Sequence, residues 1–423
     1  MQDANIANAV TVLVFLLTYL GMAAGRLPWL QVDRTGIALL GVIALLGTGA
    51  ATTDDITNDI DTATLFLLFA LMIISAQFAS SGFLDVCVQR LMSVRGGPAA
   101  LLALTVAVCG GLSAILANDI LLIGLTPLLI AGVRRRGLDP RPFVLALAAA
   151  TNAGSAATLI GNPQNIAIGQ MGNLNFWSFL GACGIPALVG LGVVFGVIWF
   201  LWRDRMENVE ALPPDLPEVP FHPHDRLQTV KGAVAVALLL LSFTTSLQRE
   251  VAALLLAALL LASRKVTSRT MIAAVDWPLL LLFACLFAVT GALHDTGIPW
   301  TFISSLQGEG LMPDNLTVLT PLTLLMSNTI GNVPSVILLL QIWPDAPQGA
   351  LYALALLSTL AGNLLLVGSF ANLIVVDRAA AYGVRITFAE HARAGVPITL
   401  LSMAFALAWL AFWDWLPFLP GAD

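Results

Sequence analysis

The stretch PAALLALTVAVCGGLSAILANDILLIGLTPLLIAG, residues 98–132, decides how the chain is read. It is apolar enough to enter a bilayer, yet Asn118 and Asp119 interrupt it near the middle. A helix needs about 20 apolar residues to cross about 30 Å of hydrocarbon. The arm after the interruption, counted over 120–131, covers only about 18 Å at about 1.5 Å per residue. The stretch therefore reads as a re-entrant hairpin with its tip near mid-depth, or as two short spans. Lipid satisfies no free N–H or C=O group, so irregular backbone at that depth has to be buried in protein or line a cavity. A second stretch, 316–343, repeats the pattern, with Ser327, Asn328, Thr329 and Asn332 at its break.

Working outward, continuous apolar runs at 6–24, 35–51, 62–82, 176–202, 229–247, 250–263, 276–294 and 397–417 predict membrane spans. Two more, 141–171 and 348–377, are long enough to cross but are cut by Gly, Asn, Ser and Pro, and read as broken spans. Hydrophobic residues make up 58% of the 423-residue chain and charged residues 10%, against about 25% charged in a soluble domain. The expected fold is an all-α polytopic membrane protein. Acidic residues outnumber cations 25 to 19, which argues against a nucleic-acid partner. Cys87, Cys109, Cys183 and Cys285 stand apart, with no CxxC or Cys/His spacing. With the N-terminus outside, every cation except Arg249 falls on an inward loop, so both termini are expected to face out. The run Arg134 to Arg136 reads as part of that topology signal. Residues 203–227 form a Pro-rich charged linker between halves, where His222 and His224 are expected to be solvated. Segments 83–93 and 299–306 read as amphipathic helices in the interface.

The halves resemble each other. FLLFALMIISAQFASSG from Phe66 matches LLFACLFAVTGALHDTG from Leu281, and ALAAATNAGSAATLIGNPQN from Ala146 matches ALALLSTLAGNLLLVGSFAN from Ala353. Gly161 pairs with Gly368, and Asn165 with Asn372. Residues 1–202 and 228–423 then form two repeats of five spans, each with one hairpin and one broken span. An odd number of spans inverts the second copy, an arrangement suited to alternating access around a mid-depth site.

Four polar breaks are expected to meet there: Asn118 with Asp119; Ser327, Asn328, Thr329 and Asn332; Gly161, Asn162, Pro163, Gln164 and Asn165; and Gly368, Ser369 and Asn372. Backbone carbonyls and amide oxygens around Asn118, Gly161, Asn332 and Gly368 suit sodium, while helix N-termini favour an anion. Thr151, Asn152, Ser358 and Asn363 stand just upstream and complete a shell, or simply bond a neighbouring helix. Asp119 is the one acidic residue placed deep in the membrane, either carrying the coupling ion or capping the helix that follows. No Lys or Arg is expected in the core, so substrate charge falls to helix dipoles and co-bound cations. No enzyme motif and no cofactor beyond a bound sodium is indicated.

NDILLIGLTPLLI from Asn118, TNAGSAATLIGNPQNIAIG from Thr151, GNVPSVILLL from Gly331 and GSFANLIVVDRA from Gly368 resemble the motifs of the ion transporter superfamily. That superfamily holds arsenite permeases, citrate and divalent anion:sodium symporters and some sodium/proton antiporters. The resemblance is nearest to a bacterial inner-membrane anion transporter branch. It implies a homodimer, with a hairpin-bearing domain moving like an elevator against a scaffold. It also matches Asn118 and Asn332 to hairpin-tip asparagines, and 161–165 and 368–372 to the loops flanking sodium and substrate. The Ala117-Asn118-Asp119 tip departs from the Ser-Asn-Thr of the dicarboxylate carriers and is more like the arsenite permeases. The expected function is secondary active transport of a small anion or oxyanion, driven by protons or sodium. Sodium/proton antiport and an anion channel are the alternatives.

Overall fold

The computed structural model describes residues 2–25, 31–207, 222–308 and 312–419. Arg26 and the middle of the linker, 208–221, lie outside the described residues. Every regular element among the described residues is helical. The first half runs α1 (Gln2–Ala24), α2 (Arg34–Thr48), α3 (Thr53–Asp59), α4 (Thr62–Ser80), α5 (Phe83–Ser93), α6 (Pro98–Ser113), α7 (Asn118–Arg135), α8 (Pro140–Ser155), α9 (Pro163–Met171) and α10 (Phe176–Trp202). The second half runs α11 (Arg226–Ser242), α12 (Arg249–Leu261), α13 (Ser268–Ala273), α14 (Trp277–Asp295), α15 (Ile298–Gly308), α16 (Leu316–Thr329), α17 (Asn332–Ile342), α18 (Gln348–Ala361), α19 (Phe370–Ala381) and α20 (Phe388–Phe412). The succession α4 to α10 recurs as α14 to α20: a long helix, a short one, a helix pair, two half-helices around a break, and a long helix.

Several lengths differ from the sequence reading. Helix α7 runs for 18 residues, to Arg135, not 120–131. It continues because Arg134 donates to Tyr382 O (2.8 Å) and Arg136 to Gly96 O (2.6 Å), so these arginines tie elements together beyond marking a face. Helix α20 starts at Phe388, set by a Thr387/Glu390 capping box that precedes its apolar run. Among the described residues, five helices are long and apolar enough to cross a membrane: α1, α4, α10, α14 and α20. Helices α2, α11 and α12, which lie in runs read as spans, have 15, 17 and 13 residues. Helix α2, for example, stops at Gly49, whose left-handed conformation lets its N–H return to Leu45 O and Leu46 O.

The helices pack in two groups. In one, α2 lies against α1 and α14, and α4 against α11 and α12. In the other, α6 and α10 flank α8, α18 joins α16 and α20, and α7 packs on α8 and α19. The groups meet where α14 touches α17 and where α4 touches α7 and α9. Helix α5 lays Leu84, Val88 and Leu91 inward and packs on α7.

Short helix α3 carries a titratable contact outside the spans. The Asp59 carboxylate lies against Gly291 of α14, and its Oδ2 is buried without a hydrogen-bond partner. Burial, then the neighbouring charges of Asp295 and Asp55, pushes its pKa up to about 6. A carboxyl raised in the folded state stabilises the docked form below its free value of about 4, and that contribution is lost as pH rises through about 6. Amide exchange across 53–59, corrected for intrinsic rates, is therefore expected to be faster at pH 8 than at pH 5. Asp59→Asn is expected to remove the difference, and a persistent pH effect in that variant would show that another group controls the contact.

Candidate functional site

Each break is built by local physics. In the first broken span, α8 ends at Ser155 and α9 begins at Pro163, which occupies the first turn where its missing N–H costs nothing. Asn162 caps α9, accepting from Asn165 N (2.9 Å), and its amide donates to Ser155 Oγ (3.1 Å) and Thr359 Oγ1 (3.2 Å). Asn165 turns back and donates to Ser155 O (3.3 Å) and Thr158 O (2.9 Å), carbonyls that the break sets free. The second broken span uses the same device. Ser369 caps α19, accepting from Ala371 N (3.2 Å), and Asn372 donates to Gly362 O (2.8 Å) and Leu365 O (3.2 Å). Asn165 and Asn372 are fully buried and tie their own breaks together.

The two breaks are joined through Asn152, which donates to Asn363 Oδ1 (2.9 Å) and Asn372 Oδ1 (3.3 Å) and accepts from Ser369 (3.1 Å). At the first tip, Ser113 bridges Asn118 Oδ1 (2.5 Å) and Thr151 O (2.6 Å). At the second, Asn332 donates to Gly368 O (3.1 Å) and Ser358 O (3.3 Å). Helices α9 and α19 are capped by side chains, whereas α7 and α17 are not. Their cap positions are Ala117 and Gly331, so their first amides stay unclaimed by any cap. Asp119 is thus the second residue of α7 and not its cap, contrary to the capping role open to it in the sequence.

A cavity of about 140 Å³ lies where these helices begin. Asn118, Asp119, Asn152, Asn162, Pro163, Gln164, Asn332, Gly368 and Ser369 line it. Gly161 sits behind that lining, held against Ser155 O. Thr151 and Ser358 bond back to their own helices, at Leu147 O (2.6 Å) and Ala355 O (3.4 Å). Asn363 braces Ala149 O (3.3 Å), and Asn328 donates to Leu324 O and Ala361 O (3.0 Å each). Ser327 is buried, Thr329 is exposed, and both are off the lining. Thr359, which sequence reasoning passed over, receives both Asn162 and Gln164 (3.2 Å).

The opposite wall is supplied by α2 and α14, through Asp33, Arg34, Thr35, Asp276 and Pro278. This corrects the expectation of a core without a cation. Arg34 is 9% exposed, its Nε donates to Met22 O (3.3 Å), and its guanidinium lies over the Phe370 ring at 5.6 Å. A second cavity of about 650 Å³ shares Asp119, Asp276 and Pro278 with the first and runs out past Asp85, Arg378 and His222. His222 stands there beside Asp85 (3.7 Å) with its side chain 57% exposed, solvated as the linker reading expects. The two cavities thus share a wall at Asp119, Asp276 and Pro278.

A polar chamber enclosed by broken helices in an apolar helical body defines a membrane transporter. The chain belongs to the family described as citrate transporter, which matches residues 12–351. It is 27% identical to an uncharacterized transporter of Mycobacterium tuberculosis H37Rv, over 95% of this chain and 98% of the relative. It is 28% identical to the silicon efflux transporter LSI3 of Oryza sativa subsp. japonica, over 90% and 93%. The fold is similar to the crystal structure of the YdaH transporter of Alcanivorax borkumensis, with a TM-score of 0.62 and 16% identity, over 96% of this chain and 98% of that one.

Proposed function

We propose that this chain is a secondary active transporter that carries a small anion or oxyanion by elevator-type alternating access, coupled to a proton or sodium gradient. The observation that carries the reading is the chamber itself: four helices start on it, two of them uncapped, in a volume of about 140 Å³. Unclaimed N–H groups and positive dipole ends favour an anion. Amide and carbonyl oxygens around Asn118, Gly161, Asn332 and Gly368 favour a sodium ion beside it. A volume of this size suits a small oxyacid, in line with the citrate family and with the silicon efflux relative.

The chamber lies between the two packed groups, so sliding one past the other would carry the solute to the opposite face. In this reading the two halves are inverted repeats, and both hairpins re-enter without crossing. The protein works as a homodimer in a bacterial inner membrane with both termini outside. Sodium/proton antiport without an organic substrate is the second reading, favoured by the carboxylates Asp33, Asp119 and Asp276 on one chamber.

Purified protein in liposomes, tested with citrate, sulfate, arsenite and C4-dicarboxylates under imposed sodium or proton gradients, decides between them. The expected result is uptake of at least one of these solutes that collapses when the gradient is abolished. Sodium exchanging for protons with no solute moved would overturn the proposal in favour of antiport. Single-channel currents beyond carrier turnover would instead identify a channel.

A further inference from the structure

Arg34 is a buried charge without a counter-charge. It makes no ion pair among the described residues, and its Nη1 has no hydrogen-bond partner. A guanidinium stays charged at every physiological pH, and leaving it desolvated and unpaired is costly. The carboxylates nearby are committed or apart. Asp33 caps α2 by accepting from Gly36 N (2.9 Å), and Asp276 caps α14 by accepting from Leu279 N (3.0 Å). Asp119 stands on the same chamber beyond ion-pair distance.

Arg34 lines the chamber, and its unpartnered Nη1 lies buried beside the start of α17. The Phe370 face holds the guanidinium at 5.6 Å, an arrangement that orients its plane. Gly331, the cap position of α17, has φ +100°, and a Cβ there would stand 3.0 Å from Nη1. A glycine is needed at that backbone angle, and its missing side chain makes room for Nη1 against the start of α17. The uncapped amides of α17 begin at the same place.

We propose that Arg34 recognises the transported solute directly, its guanidinium donating to a carboxylate or oxyanion oxygen that the α17 N-terminus also receives. This rests on the reading of the chamber as an anion site. It narrows the substrate to solutes with at least one ionised oxygen, and it places one of the binding groups on the α2 wall, not on the hairpin-bearing wall. Charge on Asp119 and Asp276 is then offset by the co-transported proton or cation.

The test uses the full chain in liposomes, with whichever of citrate, sulfate or succinate the unmodified protein carries as the probe. Arg34→Gln is expected to raise KM for that anion at least ten-fold while kcat stays within about two-fold, since a charge-assisted hydrogen bond is lost. Arg34→Lys keeps the charge but not the fork and is expected to raise KM by a smaller factor. An unchanged KM in Arg34→Gln overturns the proposal. So does a loss of kcat and thermal stability at constant KM, which would assign Arg34 to holding α1 through Met22. If Arg34→Gln does not fold, Arg34→Lys decides alone, and wild-type KM in it overturns the proposal. An unmodified protein that moves none of the three anions overturns this inference, and the anion reading falls with it when arsenite is not moved either. Anion transport with an indifferent Arg34 overturns this inference only.

Discussion

Asp119→Asn is expected to lower gradient-driven solute uptake at least ten-fold and to erase its dependence on the imposed proton or sodium gradient. The substitution keeps shape and removes charge. Because α7 begins at Asn118, with Ala117 at the cap position, no helix cap is lost with it. Asp119 lines both the small chamber and the wider cavity, so a cation or proton that passes between them meets this carboxylate at the junction. A carboxylate at this depth is costly unless it serves an ion. Asp276→Asn is the matched control. Asparagine caps a helix about as well as aspartate, so the bond to Leu279 N is kept and only the Asp276 charge is removed from the chamber. Gradient dependence surviving in Asp119→Asn and vanishing in Asp276→Asn would transfer the coupling role to α14.

Much of this architecture is legible in the sequence because the bilayer penalises polar backbone so heavily. Asn118-Asp119, Asn332 and the Gly-Asn-Pro and Gly-Ser-Phe breaks stand out inside apolar text, and the structure gathers them on one chamber. Which of them face it was not legible. Asn165 and Asn372 donate their amide N–H groups to the carbonyls of their own breaks, while Asn165 Oδ1 is left without a partner. The sequence places Arg34 on a loop because cations at span ends mark a face. Its Asp33 cap starts α2 beside the second hairpin tip, and the long side chain reaches Phe370, a contact more than 300 residues away in sequence. Hydropathy could not reveal that α2 packs on α14. The cap at Asp276 and the capping box at Thr387 were readable as local signals, but neither states which cavity or neighbour the helix start will meet.

Gly161→Ala is expected to abolish transport to within a few per cent of the unmodified rate and to lower thermal stability together with it. A Cβ at Gly161 would collide with Ser155 O and with the Cα and carbonyl carbon of the same residue. All three are backbone, so no side chain can rotate away, and the break itself must open. Ser155 O is also the carbonyl that Asn165 holds, and Ser155 Oγ receives Asn162. Displacing that turn therefore moves the α9 cap and, with it, Pro163 and Gln164 on the chamber wall. Overpacking of this kind costs about 1–3 kcal/mol, and the geometric consequence at the site exceeds the loss of stability. Gly192→Ala on α10 tests the specificity of the effect, since nothing lies within 4 Å of a Cβ there. That variant is expected to transport and melt like the unmodified protein. Full transport by Gly161→Ala would mean that the break relaxes without disturbing α9, and that its backbone is no part of the site.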